Sequence, residues 1–362
     1  MEVYLSLINE NILSLVVAKL NFLQFNLLDR LIDISNLNYT YIAKAKFGKV
    51  LRQPGFEEYK NILCSLVIKQ KFNLEENLDQ ICKMYSIIKW AHRIEEIPKE
   101  IENLFNLHDL NLINNLITYL PAEIDGPKSL RRLDLSYNKI SKIPSEIGKL
   151  VNLEELKMSN NIIIEMPVSI VNLTNLNTLS LNNNHITIIP AQLGLLNKLR
   201  VLHLDDNRIF DIPDSLGNLK NLRELYLDYN NIKKIPDSLF NLSSLKVLDL
   251  SNNGISKIPK EIGNLTNLLE LYLRSNLIEE LPQEIGNLTN LRVLYLNFNL
   301  IEGLPRGVRN LTNLEDLSLS NNRITEIPEE IRKLKYLRRL YLSDNPIIRT
   351  SDLELPWVSV YW

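Results

Sequence analysis

Nucleophiles, metal ligands and phosphate-binding loops are the patterns that would commit a chain to catalysis. Four histidines, His92, His108, His185 and His203, and two cysteines, Cys64 and Cys82, could supply zinc ligands or a Cys/His nucleophile pair. None of the histidines falls in a His/Cys cluster with zinc spacing. Neither cysteine sits in a nucleophile motif. No glycine is followed at Walker A spacing by Gly-Lys and Ser or Thr, so the chain carries no loop of that kind to cradle a nucleotide phosphate. The expectation is a protein without catalytic residues, cofactor or metal.

What remains is recognition, and charge limits its kind. With 41 basic and 43 acidic residues the formal charge is -2, which is not the footprint of a nucleic-acid or anionic-membrane binder. Recognition must therefore be local. Two cysteines are too few for a disulfide framework and suit a reducing, cytoplasmic setting. The N-terminus Met1-Glu2-Val3-Tyr4 has no basic leader region. The apolar run Ile12 to Ala18 is too short for a membrane span, which needs about 20 apolar residues. Sequons at Asn172, Asn241, Asn264, Asn287 and Asn310 recur because the repeating unit itself contains Asn-Leu-Thr or Asn-Leu-Ser.

The elements that must position any binding residue follow from a period of 23. Eleven asparagines, from Asn115, Asn138 and Asn161 through Asn230 to Asn322 and Asn345, are spaced by 23 residues without an insertion. Eleven of the fifteen prolines, from Pro98 to Pro328, keep the same step. Within one unit, Leu225 and Leu227 have the period-2 spacing of a short strand with both side chains inward, so residues 224, 226 and 228 point outward. Proline after Ile or Leu fixes φ and removes a donor, which marks a turn-like return. Together Leu222, Leu225, Leu227, Asn230, Ile232, Ile235-Pro236, Leu239 and Leu242 resemble a leucine-rich repeat.

That resemblance implies an α/β repeat solenoid, a horseshoe with a parallel concave sheet and short convex turns. It also implies that the asparagines form a buried ladder satisfying loop backbone groups, a structural role and not a catalytic one. A single unit cannot close a core, so caps are expected at both ends. Residues 84–106 keep Met84, Ile87, Ile94 and Ile97-Pro98 but place Lys89 and His92 where leucine and asparagine belong, which reads as a capping unit. Residues 107–350 hold the eleven repeats. Residues 351–362, with Leu353, Leu355, Trp357, Val358, Tyr361 and Trp362, read as apolar cover for the last coil. The absent Walker A loop excludes the GTPase-coupled form of this architecture. Only seventeen residues follow Asn345, which leaves no room after the repeats for a ligase domain such as some bacterial effectors carry.

Residues 1–83 lack the period and read as helical, broken at Pro54-Gly55. Asn73 and Glu76 have capping-box spacing for a helix bearing Leu74, Leu78, Ile81, Tyr85 and Ile88. Ile12-Leu13-Ser14, Ile34-Ser35 and Tyr41-Ile42 loosely resemble an F-box, with longer spacing and without its Leu-Pro pair. The alternative function is accordingly a substrate adaptor of a ubiquitin ligase.

Outward strand positions vary between units, so they carry the recognition. The central column contains His203, Tyr226, Asp249, Tyr272 and Tyr295. Val201, Val247 and Val293 flank it on one side, and Asp205, Asp228, Arg274 and Asn297 on the other. These twelve form the expected partner-binding face. Tyrosine suits a binding hot spot because it offers rigid area with a polar tip. The same tyrosines and valines equally suit exposed strands that support each other across a sheet. Basic spots lie at Arg131, Arg132 and Lys157 and at Arg338 and Arg339, and an acidic one at Asp205, Asp206 and Asp228. With Ile-Pro in the return and no cysteine caps, the unit is similar to the intracellular Ras-group repeats, Scribble-like and plant intracellular proteins among them. That resemblance implies a non-enzymatic, monomeric signalling scaffold that binds a protein.

Overall fold

Two inward leucines separated by one outward residue make a strand that only a neighbouring strand can complete, and the repeat supplies that neighbour every 23 residues. In a computed structural model, residues 85–89, 93–348 and 355–362 are described, all within the unit Cys64–Trp362. The helical segments, capping box and F-box-like stretch expected before residue 85 lie outside them, as does His92. The helix expected to carry Tyr85 and Ile88 on its apolar face does not reach them: residues 86–88 pair with the next coil as a strand, and both side chains are exposed. The first strands are β1 (Ser86–Ile88), β2 (Asp109–Asn111), β3 (Arg132–Asp134), β4 (Glu155–Lys157) and β5 (Thr178–Ser180). The middle of the sheet is β6 (Val201–His203), β7 (Glu224–Tyr226), β8 (Val247–Asp249), β9 (Glu270–Tyr272) and β10 (Val293–Tyr295). It ends with β11 (Asp316–Ser318), β12 (Arg339–Tyr341) and β13 (Ser359–Tyr361). These thirteen strands form one parallel sheet in chain order. Register advances by one unit per strand, Leu225 lying opposite both Leu202 and Leu248.

The core is a bundle of columns. Leu225, Leu227, Ile232, Leu239, Leu242 and Leu245 are each 0% exposed, and their counterparts in neighbouring units are buried with them. Each such side chain contributes about 1.5–3 kcal/mol relative to exposure. Proline sits immediately before each return turn. Pro236 (φ -70°) precedes the 3-10 turn Asp237–Asn241, and its carbonyl accepts from the Leu239 amide at 3.0 Å. The missing proline N–H thus falls where a helical turn needs no donor. Returns stack closely enough that a Cβ on Gly217 would lie 1.9 Å from the Ser238 carbonyl oxygen.

The asparagine ladder is as the resemblance implies. Asn230 Nδ2 donates to the carbonyls of Leu204 at 2.9 Å and Leu227 at 3.1 Å, and its Oδ1 accepts from Ile209 N at 2.9 Å. One side chain therefore ties two coils together. The residue before each ladder asparagine, from Asn114 to Asp344, has φ between 50° and 59°. Left-handed backbone costs an ordinary L-residue about 1–2 kcal/mol, less for Asn or Asp. Seven of these eleven positions are Asn or Asp, but Tyr137, Tyr229 and Phe298 are bulky aromatics about half exposed.

At the C-terminal end the structure differs from plain apolar cover. Residues 359–361 extend the sheet as β13, with Ser359 opposite Arg339, a step of 20 instead of 23. Alternation in that strand turns Val360 toward the core and Tyr361 away from it. Leu355 is buried, whereas Trp357 and Trp362 are exposed. No helix among the described residues is long and apolar enough to cross a membrane.

Candidate partner-binding face

Parallel register carries the outward residues of β6 to β10 into columns whose successive members lie about 4.8 Å apart. Val201, Glu224, Val247, Glu270 and Val293 make the first, and His203, Tyr226, Asp249, Tyr272 and Tyr295 the second. All ten are half-buried by their neighbours. Two residues beyond the strands follow Asp205, Asp228, Ser251, Arg274 and Asn297, of which Arg274 is exposed.

The aromatic side chains form two pairs, not one cluster. His203 stacks on Tyr226 with ring centroids 4.4 Å apart and planes 2° apart. Tyr272 meets Tyr295 edge-on at 5.3 Å and 86°. Each such pair adds about 0.5–1.5 kcal/mol beyond burial. Asp249 stands between Tyr226 and Tyr272 in register, so it divides the pairs. The hydroxyl of Tyr272 donates to Glu270 Oε2 at 2.7 Å, and that of Tyr226 to Glu224 Oε2 at 3.4 Å. Burial, reinforced by nearby carboxylates, pushes the Tyr226 phenol up to about 12 and the Tyr272 phenol up as well. Both therefore remain neutral donors at physiological pH.

Carboxylates gather beside the first pair. Burial, then the charges of Asp249 and Asp205, push Asp228 up to about 7, and Arg274 offsets part of the rise. Asp249 is also raised by burial, against hydrogen bonding from Ser251 and the charge of Arg274. Asp205 Oδ1 is buried without a hydrogen-bond partner, and His203 Nδ1 approaches it only to 3.5 Å. Arg274 itself is engaged, its Nη2 donating to Tyr229 Oη at 3.2 Å. Partly desolvated carboxylates short of cations favour an incoming positive group. Among the described residues, no group of three or more His, Cys, Asp or Glu is arranged to hold a metal ion.

Charge is balanced differently elsewhere on the sheet. Arg132 pairs with Asp109, Nη2 to Oδ2 at 2.8 Å, and Arg339 pairs with Asp316. Arg131 reaches Glu154 at 3.3 Å and Lys157 reaches Glu155 at 3.1 Å. A cavity of about 290 Å³ beside β1 to β4 is lined by the Arg132–Asp109 and Lys157–Glu155 pairs together with Ile88 and Asp134. The basic spots seen in the sequence are thus largely neutralised by the adjacent coil. Sequence reasoning missed Glu224, Glu270 and Tyr229 as partners of the face, and Tyr361, which stacks on Tyr341 at 4.6 Å. The 23-residue column would have exposed the two glutamates, whereas Tyr361 lies outside that step.

Known proteins share this fold. The family model for the leucine-rich repeat region matches residues 128–239 and 229–352. A Leptospira interrogans LRR protein is 36% identical, with a TM-score of 0.75, and the match covers 78% of this chain and 73% of that one. The plant peptide hormone receptor RGFR1, solved in complex with RGF2, is 33% identical with a TM-score of 0.68, the match covering 74% of this chain and 45% of the receptor. A chain in the octameric complex of Latrophilin 3, Unc5D and FLRT2 (LRR) is 25% identical with a TM-score of 0.60, covering 77% of this chain and 86% of that one. Among curated proteins, none matches the sequence.

Proposed function

Because this chain belongs to the leucine-rich repeat family, we propose that it is a non-enzymatic scaffold holding a protein partner on the outward face of β6 to β10. The observation that carries this reading is the run from His203 to Tyr295, where paired aromatics border aspartates that outnumber the cations beside them. Tyrosines already ordered by Glu224 and Glu270 lose little freedom on binding. A partner cation entering beside Asp205, Asp228 and Asp249 would offset the charge burial that raises Asp228 and Asp249. Complexes formed by RGFR1 and by the FLRT2 assembly support a peptide or protein as ligand.

The same proposal includes a monomeric protein acting inside the cell, with repeats of the Ras-group, Scribble-like type and end coils that cap the stack. Its support is the unbroken 23-residue unit with Ile-Pro in the return and two cysteines outside the repeats.

The test is a triple substitution, Tyr226→Ala, Tyr272→Ala and Tyr295→Ala, in the full chain used to capture partners from its native cell. The variant is expected to keep its circular dichroism spectrum and to lose the captured partner, because truncating a buried aromatic anchor costs about 2 kcal/mol or more. Retention of every partner at wild-type strength would sink the reading.

A further inference from the structure

One column just before the strands is charged in an unbalanced way. Arg131 is answered by Glu154 at 3.3 Å, and Arg292 and Arg338 both approach Glu315, at 3.7 and 3.8 Å. Between them stand Arg200, Arg223 and Lys246, all exposed, and none makes an ion pair or side-chain hydrogen bond among the described residues. They are immediate neighbours, since Arg223 N donates to the Arg200 carbonyl at 2.8 Å and Lys246 N to that of Arg223 at 2.7 Å. Like charges side by side repel, and the column elsewhere shows how an acid relieves this. Asn177 and Leu269 bound the run, so three coils carry a discrete basic stripe. On the opposite edge of the same coils lie Asp205, Asp228 and Ser251, and Asp249 stands in the central column between the two edges.

Given the reading of this face as a protein-binding surface, we infer that β6 to β8 receive an amphipathic helix of the partner, laid across the strands. Its acidic flank rests on Arg200, Arg223 and Lys246, and its basic flank on Asp205 and Asp228. Spacing selects a helix. Neighbouring strands are about 4.8 Å apart, so the stripe spans about 9.6 Å. Helix positions i, i+3 and i+7 rise about 4.5 and 10.5 Å and keep step with it. Alternate residues of an extended strand rise about 6.8 Å and are out of step by about 4 Å at the third cation. Width agrees as well. Five residues of extended chain separate the two edges by about 16 Å, which leaves room for a helix about 10–12 Å across with its charged tips spread sideways. Val201, Val247 and the His203–Tyr226 stack lie beneath its apolar stripe.

The test uses the full chain and three synthetic alanine-based helices of equal length, read by fluorescence anisotropy. One carries Glu along one flank and Lys along the other around a leucine stripe, one has the same composition scrambled, and one has Glu on both flanks. The two-flank helix is expected to bind about tenfold or more tightly than either control, with affinity falling as salt rises. Reversing the stripe (R200E/R223E/K246E) or the opposite edge (D205K/D228K) should each weaken binding about tenfold. Reversing both should restore it, because a helix turned end for end exchanges its flanks. R200Q/R223Q/K246Q, with unchanged melting, guards against misfolding. Equal binding of the scrambled helix, or no effect of stripe reversal, overturns the inference. If that happens while the tyrosine variant still loses its captured partner, the proposed function stands and only the helical occupant is wrong.

Discussion

The interior columns and the outward columns run through the same coils, yet they obey opposite rules. Inside, Asn230 and its counterparts make nearly the same bonds in coil after coil, each to the coil before and to its own. Outside, the central column changes from His203 to Tyr226 to Asp249 without disturbing the register. The difference follows from what each side chain touches. An interior residue is held by two neighbours that demand one shape, whereas an outward residue meets its neighbours only at its flanks. Constancy therefore reports stacking, and variation marks the positions that stacking leaves free, where the proposed recognition is placed.

The most severe way to challenge that division is to break a ladder rung. Asn230→Ala leaves the Ile209 amide without its partner and takes from the Leu204 and Leu227 carbonyls one of their two side-chain donors, Asn207 and Asn253 remaining as the other, at a cost of about 2–3 kcal/mol. A urea midpoint as high as wild type would mean that the ladder is not what joins the coils.

A smaller effect is expected on the face, and its sign depends on pH. The fold raises Asp228 from 3.8 to about 7, so it favours the neutral carboxyl. The associated stability is fully present below about pH 4, declines as pH rises toward 7, and is lost above it. Asp228→Asn stays neutral throughout. It should equal wild type at pH 4 and exceed it by about 1 kcal/mol at pH 8, after allowance for partial exposure. An identical difference at both pH values would show that charge burial is not the cause.

The smallest change tests a residue where the two rules meet. Phe298 is 54% exposed yet held at φ 59°. Phe298→Asn should raise thermal stability by about 0.5–1 kcal/mol by relieving left-handed strain. A drop in melting temperature would assign the ring a packing role that outweighs its backbone.

The stack was legible in the sequence because its leucines, asparagines and prolines recur at one interval, and each copy corroborates the rest. The outward columns could be read from the same interval, including Tyr226 and Asp249. What could not be read was how neighbours alter one another. Asp249 splits the aromatics only because strands pair in register, and Asp228 is raised only where neighbouring carboxylates and burial coincide. Strand β13 escaped because its offset of 20 breaks the period that revealed the others. The left-handed position before each asparagine gave no signal at Tyr229 or Phe298, since both are residue types that seldom adopt it.

An unbroken step of 23 also makes the face editable. Excising residues 231–253 would join Asn230 to Gly254, the position that follows the next ladder asparagine, Asn253. Tyr226 would then lie beside Tyr272, Asp249 and Lys246 would be gone, and the two aromatic pairs would fuse into one continuous strip. Gain or loss of a single unit by recombination can thus rewrite the proposed binding face while leaving every remaining coil with a partner to stack upon.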